Sequence, residues 1–226
     1  MKLSTETVNL LKNFSNINSG IVFRPGNTIK TISTNKNILA EATIKETIPC
    51  EFGIYDLSKF INVLSMYKEE VDVEFKELSG IISGMSGRSN VDYRFCAPKM
   101  INAAPEKPVA MPESEINFDL TQSDFDWIIR TASVLGSPNI AVVSDGTKIQ
   151  LMTYDASNDG ESTNTLNVGE GTGDKFKMIF KTEALKLIPG TYEVKISSKG
   201  VSHFKNKDIS IQYWITIESG STFTKG

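Results

Sequence analysis

Little in this sequence could carry out a reaction. Its 226 residues include one histidine, His203, two cysteines, Cys50 and Cys96, and two tryptophans. A lone histidine in the turn-like stretch SSKGVSHFKN has no second histidine to complete a proton relay or a zinc site, so a surface or turn position is expected for it. The cysteines have no metal-type spacing and sit in apolar, strand-like contexts. They read as buried, reduced thiols of a cytosolic protein, with a single disulfide as the alternative. No apolar run approaches the length of a membrane span, and the opening MKLSTETVNLLKNF is interrupted by polar residues, unlike a signal peptide. A soluble protein that works where it is made is expected. Excess charge is missing too. At a net charge of −3 the whole molecule has no general attraction for DNA or an anionic membrane, so any nucleic-acid contact must come from a local patch.

Two motif-like stretches lose their force on inspection. Asp155–Gly160 (DASNDG) imitates the start of a calcium-binding loop, but the position that should supply a bidentate carboxylate is Leu166, and strands flank it. Gly169–Asp174 (GEGTGD) is rich in glycine, yet it carries negative charge and lacks the Gly-Lys-Ser/Thr ending of a phosphate loop. Both read as solvated loops. No catalytic residue, metal ligand or cofactor is expected.

What the chain does have is a repeat. Hydrophobic residues make up 39 % of it and charged residues 23 %, normal values for a globular protein long enough for two cores. Pro105, Pro108 and Pro112 stud the stretch Ile101–Pro112, where missing donors and fixed φ rule out an interior strand or a helix. This extended connector separates an N-terminal domain, 1–100, from a C-terminal domain, 113–226. On one side, Leu3, Thr7, Leu10, Leu11, Phe14 and Ile17 form the buried stripe of a helix over Ser4–Ile17. Leu57, Phe60, Ile61 and Leu64 form that of a second helix, capped by Asp56. On the other side, Phe125, Ile128, Ile129, Ala132 and Leu135 mark a helix begun by the capping pair Thr121 and Asp124. Thr182–Ile188 is a shorter helix stopped by Pro189–Gly190. Alternating apolar strands fill the intervals, with Ser79–Gly80 as one turn and Asp145–Gly146 as another. Both halves run helix, strands, short helix, strands, which predicts a duplicated α+β domain with two helices on antiparallel sheets in each copy.

The helix faces carry the functional hint. Lys12, Lys59, Arg130 and Lys186 lie on helices whose outer sides are otherwise mainly Asn, Ser and Thr, with Glu6, Asp126 and Glu183 as exceptions. In an acidic chain this bias suits a surface that meets phosphates without reading bases. Ordinary solvated helices are the competing reading.

At these residues the chain resembles the DNA polymerase sliding clamps, or processivity factors, of T4-like bacteriophages. MKLS, LLKNFSNINSGI and IYDL look like that family's first domain, PEKPVAMP its proline-rich connector, and WIIRTAS with ALKLIPGTYEV its second-domain helices. The resemblance implies a DNA-clamp fold and a homotrimeric, non-enzymatic ring that encircles duplex DNA without sequence specificity. It implies as partners the replicative polymerase and an ATP-driven clamp loader, with late-transcription factors as a further class, and as location the cytoplasm of an infected bacterium. Lys12, Arg130 and Lys186 fall on matching segments and are expected to line the pore, whereas Lys59 rests on its helix position alone. The family tends to have a further basic residue where this chain has Ser133. For ring closure, strand Val91–Cys96 (Val91, Tyr93, Phe95) is expected to add to Thr163–Val168 (Thr163, Thr165, Leu166, Val168) of the next subunit, with Phe95 at the position of a family edge aromatic. Partner peptides are expected to dock beside the connector, against Val109 and Met111. The alternative function is a structural, β-rich, two-domain phage protein that does not contact DNA.

Overall fold

A computed structural model describes residues 1–67, 71–84, 86–158, 160 and 162–226. Asp159, in the calcium-loop imitation, lies outside them. Among the described residues three amphipathic segments form α-helices, each begun by a side-chain cap. In α1 (Thr5–Ile17) the Ser4 hydroxyl accepts the N–H of Thr7. In α2 (Leu57–Ser65) the Asp56 carboxylate accepts that of Lys59, and in α3 (Gln122–Leu135) the Thr121 hydroxyl accepts that of Asp124. Each cap satisfies a donor that the first turn leaves without an intrahelical partner. The apolar spacing then decides which face is buried. Leu10, Leu11, Phe14 and Ile17 are buried along α1, Leu57, Phe60, Ile61 and Leu64 along α2, and Phe125, Ile128 and Ala132 along α3. Full burial of one such side chain stabilises by roughly 1.5–3 kcal/mol, so these stripes hold the helices down far more than intrinsic propensity does.

The chain divides into two compact units, Met1–Pro108 and Val109–Gly226. Unit 1 contains, besides α1 and α2, strands β1 (Lys2–Leu3), β2 (Ile21–Phe23), β3 (Gly26–Ile32), β4 (Ile38–Ile48), β5 (Phe52–Ile54), β6 (Val71–Phe75), β7 (Ser79–Gly84) and β8 (Asn90–Arg94). β1, β6, β7 and β8 lie in that order in one sheet; β2 pairs with β5, and β3 with β4. The helices α1 and α2 pack on each other, and α1 also on β4 and β3. Unit 2 contains α3 with β9 (Ile116–Leu120), β10 (Asn139–Asp145), β11 (Lys148–Tyr154), β12 (Asn164–Glu170), β13 (Lys175–Lys181), β14 (Tyr192–Ser197), β15 (Val201–Asn206), β16 (Ile211–Thr216) and β17 (Thr222–Thr224). One sheet runs β12-β11-β10-β13-β17, with α3 packed across β10, β11 and β12; in another, β9, β14, β15 and β16 are neighbours. The architecture is α+β, with antiparallel pairing and a similar element order in the two units.

The connector is fastened at its start to unit 1. Asn18, the C-cap of α1, donates through its side-chain amide to the carbonyls of Ile32 and Asn102 and accepts the N–H of Gly20. Ala104 is buried, and its carbonyl accepts from Arg24.

Several local expectations need correction. Thr182–Ile188 is no α-helix. One 3-10 turn spans Thr182–Ala184, and Leu185 leaves helical space at ψ 56°. Seven residues ahead of a proline offer too few hydrogen bonds to offset nucleation, and Pro189 pushes Ile188 towards extended backbone. Leu3 is buried from strand β1, ahead of the helix. Ser79 and Gly80 begin β7; the turn lies before them, closed by the Lys76 N–H on the Ser79 carbonyl. His203 sits within β15, half-buried, stacked on Trp214 at 5.0 Å and bonded to Gln212, and burial lowers its pKa. A turn assignment fails because alternation in Val201–Asn206 is masked by the polar residues between Val201 and Phe204. Cys50 is exposed and Cys96 half-buried; both are free thiols.

Candidate nucleic-acid and subunit interface

The helices that bury one stripe must turn another to solvent, and that geometry positions the candidate cations. Lys12 on α1, Lys59 on α2 and Arg130 on α3 are all exposed. Around Lys12 and Lys59 the exposed residues include Asn9, Asn16, Ser58, Asn62 and Ser65. Glu6, an exposed acid of α1, is matched by Lys45, whose ammonium lies 2.7 Å from its carboxylate. An exposed pair of this kind contributes little stability, but it removes a repulsive charge from the α1 face. Ser133, one turn after Arg130 on α3, is exposed as well and adds no charge. Lys186 differs: it follows the 3-10 turn in irregular backbone and is half-buried.

The strands singled out for subunit contact both lie at sheet edges. β8 ends the order β1-β6-β7-β8, and β12 begins the order β12-β11-β10-β13-β17. An edge strand presents a row of backbone donors and acceptors with no ladder partner. Along β8, Val91 and Tyr93 are half-buried and alternate with exposed Asp92 and Arg94. Tyr93 packs edge-on against Phe60 at 5.1 Å and donates its hydroxyl to the Asp56 carbonyl, so α2 roofs this face of the edge. Burial, followed by the nearby charge of Asp56, pushes the Tyr93 phenol above its ordinary pKa. Along β12, Asn164, Leu166 and Val168 are half-buried and alternate with exposed Thr165 and Asn167. Thr163 is exposed and precedes the strand. Phe95 lies one residue beyond β8, half-buried, stacked on Phe52 at 4.4 Å within a cluster that includes Phe75. Gly80 makes room for it, since a Cβ there would stand 2.9 Å from the Phe95 ring.

Val109 and Met111 are half-buried. Glu106 of the connector lines a cavity. With Val22, Arg24, Pro25, Thr28 and Lys30 it borders a space of about 170 Å³, where its carboxylate is 3.4 Å from Arg24 Nε. Pairing along the sequence could not reveal this arrangement, because Arg24 and Glu106 are far apart in the chain. No group of three or more potential metal ligands occurs among the described residues.

Known proteins share this architecture. Residues 4–95 match the family described as DNA polymerase processivity factor, and residues 117–219 match gp45 sliding clamp, C terminal. The chain is 32 % identical to the sliding clamp of Vibrio phage KVP40, over 97 % of this chain and 100 % of that protein. It is 29 % identical to the sliding clamp of Enterobacteria phage T4, over 98 % and 99 %. Among solved structures, Archaeoglobus fulgidus PCNA, crystallised with the C-terminal region of FEN-1, superposes with a TM-score of 0.71 at 12 % identity, covering 95 % of this chain and 96 % of that one. PCNA from Thermococcus kodakaraensis gives 0.68 at 13 %, covering 94 % and 96 %. At such low identity these two likenesses speak for the fold alone.

Proposed function

The chain belongs to the sliding-clamp family of DNA polymerase processivity factors, and from that membership we propose that three copies close into a ring around duplex DNA and tether the replicative polymerase. The family is one of accessory proteins, and the chain acts by holding, without a catalytic step of its own. The observation that carries the ring is that β8 and β12, each with an apolar face under a helix, are both sheet edges on one chain. Two different edges on one protomer make a head-to-tail contact, which closes when the rotation per copy divides the circle.

Inside the ring, Lys12, Lys59 and Arg130 meet phosphates; Lys12 and Lys59 stand among neutral polar side chains, whereas Arg130 has exposed Asp126 one turn before it and Ser133 one turn after. Sliding requires such contacts to be few, sequence-independent and bridged by water, since tight ones would stall the ring. Lys186 makes a weaker contribution from its half-buried position. Residues 1–100 and 113–226 serve as the two clamp domains of each subunit, and 101–112 as the connector beside which polymerase and clamp-loader peptides dock, Val109 and Met111 forming part of the wall. Late-transcription factors are a further class of partner. The setting is the cytoplasm of an infected bacterium.

The decisive experiment is primer extension by the phage polymerase with its loader and ATP, with and without this chain. Longer products from single binding events are expected. Unchanged product length, or a chain that light scattering finds monomeric at high concentration, overturns the reading.

A further inference from the structure

Trp127 is out of place on an exposed helix face. The residue is 52 % exposed, and its indole N–H reaches the side-chain oxygen of Asn164, at the head of edge strand β12, across 3.4 Å. Tryptophan has the largest apolar surface of any side chain, and its exposure next to an unpaired strand points to a contact still to be made. At about 100° per residue, Val134 lies two turns along α3 and about 20° from Trp127 around the axis, whereas Arg130 is about 60° away. Val134 is 78 % exposed. The two apolar residues therefore form a stripe on one flank of the outward-facing arginine, and the Asn164 contact shows that this flank is the β12 side.

The edge that matches this stripe is on the same chain. A strand edge recognises another by backbone hydrogen bonds, and an apolar face fixes which way up the newcomer lies. β12 offers half-buried Leu166 and Val168 on one face, beside Trp127; β8 offers half-buried Val91 and Tyr93, with α2 above them. Pairing β8 of one copy with β12 of another continues the sheet with both helices on the same face. We infer that Trp127 is the energetic centre of this seam: its ring covers the Tyr93 side of the next copy's edge, and Val134 extends the contact along the two helices. The occupant is a second copy of this chain, because the chain carries both complementary halves. The inference rests on the ring reading and adds to it the residue on which closure depends.

The two tryptophans make a direct test possible. Trp214 is 8 % exposed, so in a Trp214→Phe variant the emission reports Trp127 alone. That emission is expected to move to the blue as concentration rises, in step with assembly followed by sedimentation. Trp127→Ala, which alters all three seams, is expected to raise the concentration for half-assembly roughly 150-fold, as for a hot spot of about 2 kcal/mol per seam, with circular dichroism unchanged. If the chain forms a trimer whose Trp127 emission ignores dilution, and Trp127→Ala assembles like the wild type, the inference falls and the ring stands. If the wild type remains monomeric throughout, the ring reading falls and takes the inference with it.

Discussion

The side-chain amide of Asn18 donates to the carbonyl of Asn102, 3.0 Å away in space and 84 residues along the chain. A helix cap thereby holds the beginning of the interdomain connector. The same amide donates to Ile32, and its oxygen accepts from Gly20, so Asn18 is engaged on both sides. Asn18→Ala leaves two carbonyls and an N–H without this partner and should cost about 1–3 kcal/mol. Thermal unfolding measures that loss. Limited proteolysis should show faster cutting within 101–112, and unchanged cutting would mean that Asn18 does not restrain the connector.

Glu46 gives a pH-dependent counterpart at the other end of α1. Its carboxylate accepts the Ser4 N–H and, at 2.6 Å, the Thr7 hydroxyl. Burial by itself raises its pKa, but these hydrogen bonds outweigh burial and hold it below the ordinary 4.5. The folded state therefore prefers the ionised form. Its contribution is complete above the unfolded-state value and is lost as pH falls through the lower folded one. Glu46→Gln keeps one acceptor oxygen and the site is partly solvated, so it should be less stable by about 1 kcal/mol or less at neutral pH. The gap from wild type should narrow on acidification below about pH 4.5. Denaturant titrations across that range check this; a constant gap would remove the ionisation argument.

The proposed pore cations are separable by salt dependence. Removing one cation that meets a phosphate should reduce the slope of log affinity against log salt by about 0.9. Lys12→Ala and Arg130→Ala each remove three such cations from a ring of three copies, so each should lower the slope by up to about 2.7, additively in the double variant, while the trimer persists. Lys186→Ala should show less, in keeping with its half-buried position. Retention of loaded rings on circular DNA over a salt series is the measurement. Loss of the trimer in these variants would assign the side chains to assembly.

Gly53 packs tightly against backbone in unit 1. It exchanges backbone hydrogen bonds with Cys96, and a Cβ on it would stand 2.8 Å from the Cys96 carbonyl oxygen and 2.9 Å from Ile101 Cδ1. Gly53→Ala must move backbone, so a loss of about 1–3 kcal/mol is expected. Gly26→Ala is the informative control, because space is open there and only its positive φ of 116° opposes a side chain. If Gly53→Ala unfolds like the wild type, the bridge between β5 and the end of β8 is less rigid than its geometry implies.

The helices are legible in the sequence because their determinants are local. Ser4, Asp56 and Thr121 each cap a segment whose apolar spacing follows within a few residues, and all three caps form. Thr182–Ile188 misleads because its apolar residues, Ala184, Leu185, Leu187 and Ile188, imitate a stripe over a stretch too short to nucleate. His203 looks like a turn residue because its partners, Trp214 and Gln212, come from the next strand. The edge positions of β8 and β12, and the bond between Trp127 and Asn164, depend on pairings between distant segments. Periodicity records which face of a strand is apolar, but not which strand lies beside it.

The two unpaired edges have a kinetic consequence for the proposed ring. Three identical seams hold three subunits, so parting one seam opens the ring, whereas freeing a subunit requires parting two. If one seam opens with a small probability, complete loss of a subunit follows roughly the square of it. A single interaction strength, set along Val91–Tyr93, Leu166–Val168 and Trp127, thus governs both how readily DNA is admitted and how long the ring persists afterwards. A substitution that weakens the seam tenfold would open the gate about ten times more often but shed subunits about a hundred times more often. Selection on such an edge acts on a ratio of lifetimes, and a seam of intermediate strength is the one that serves.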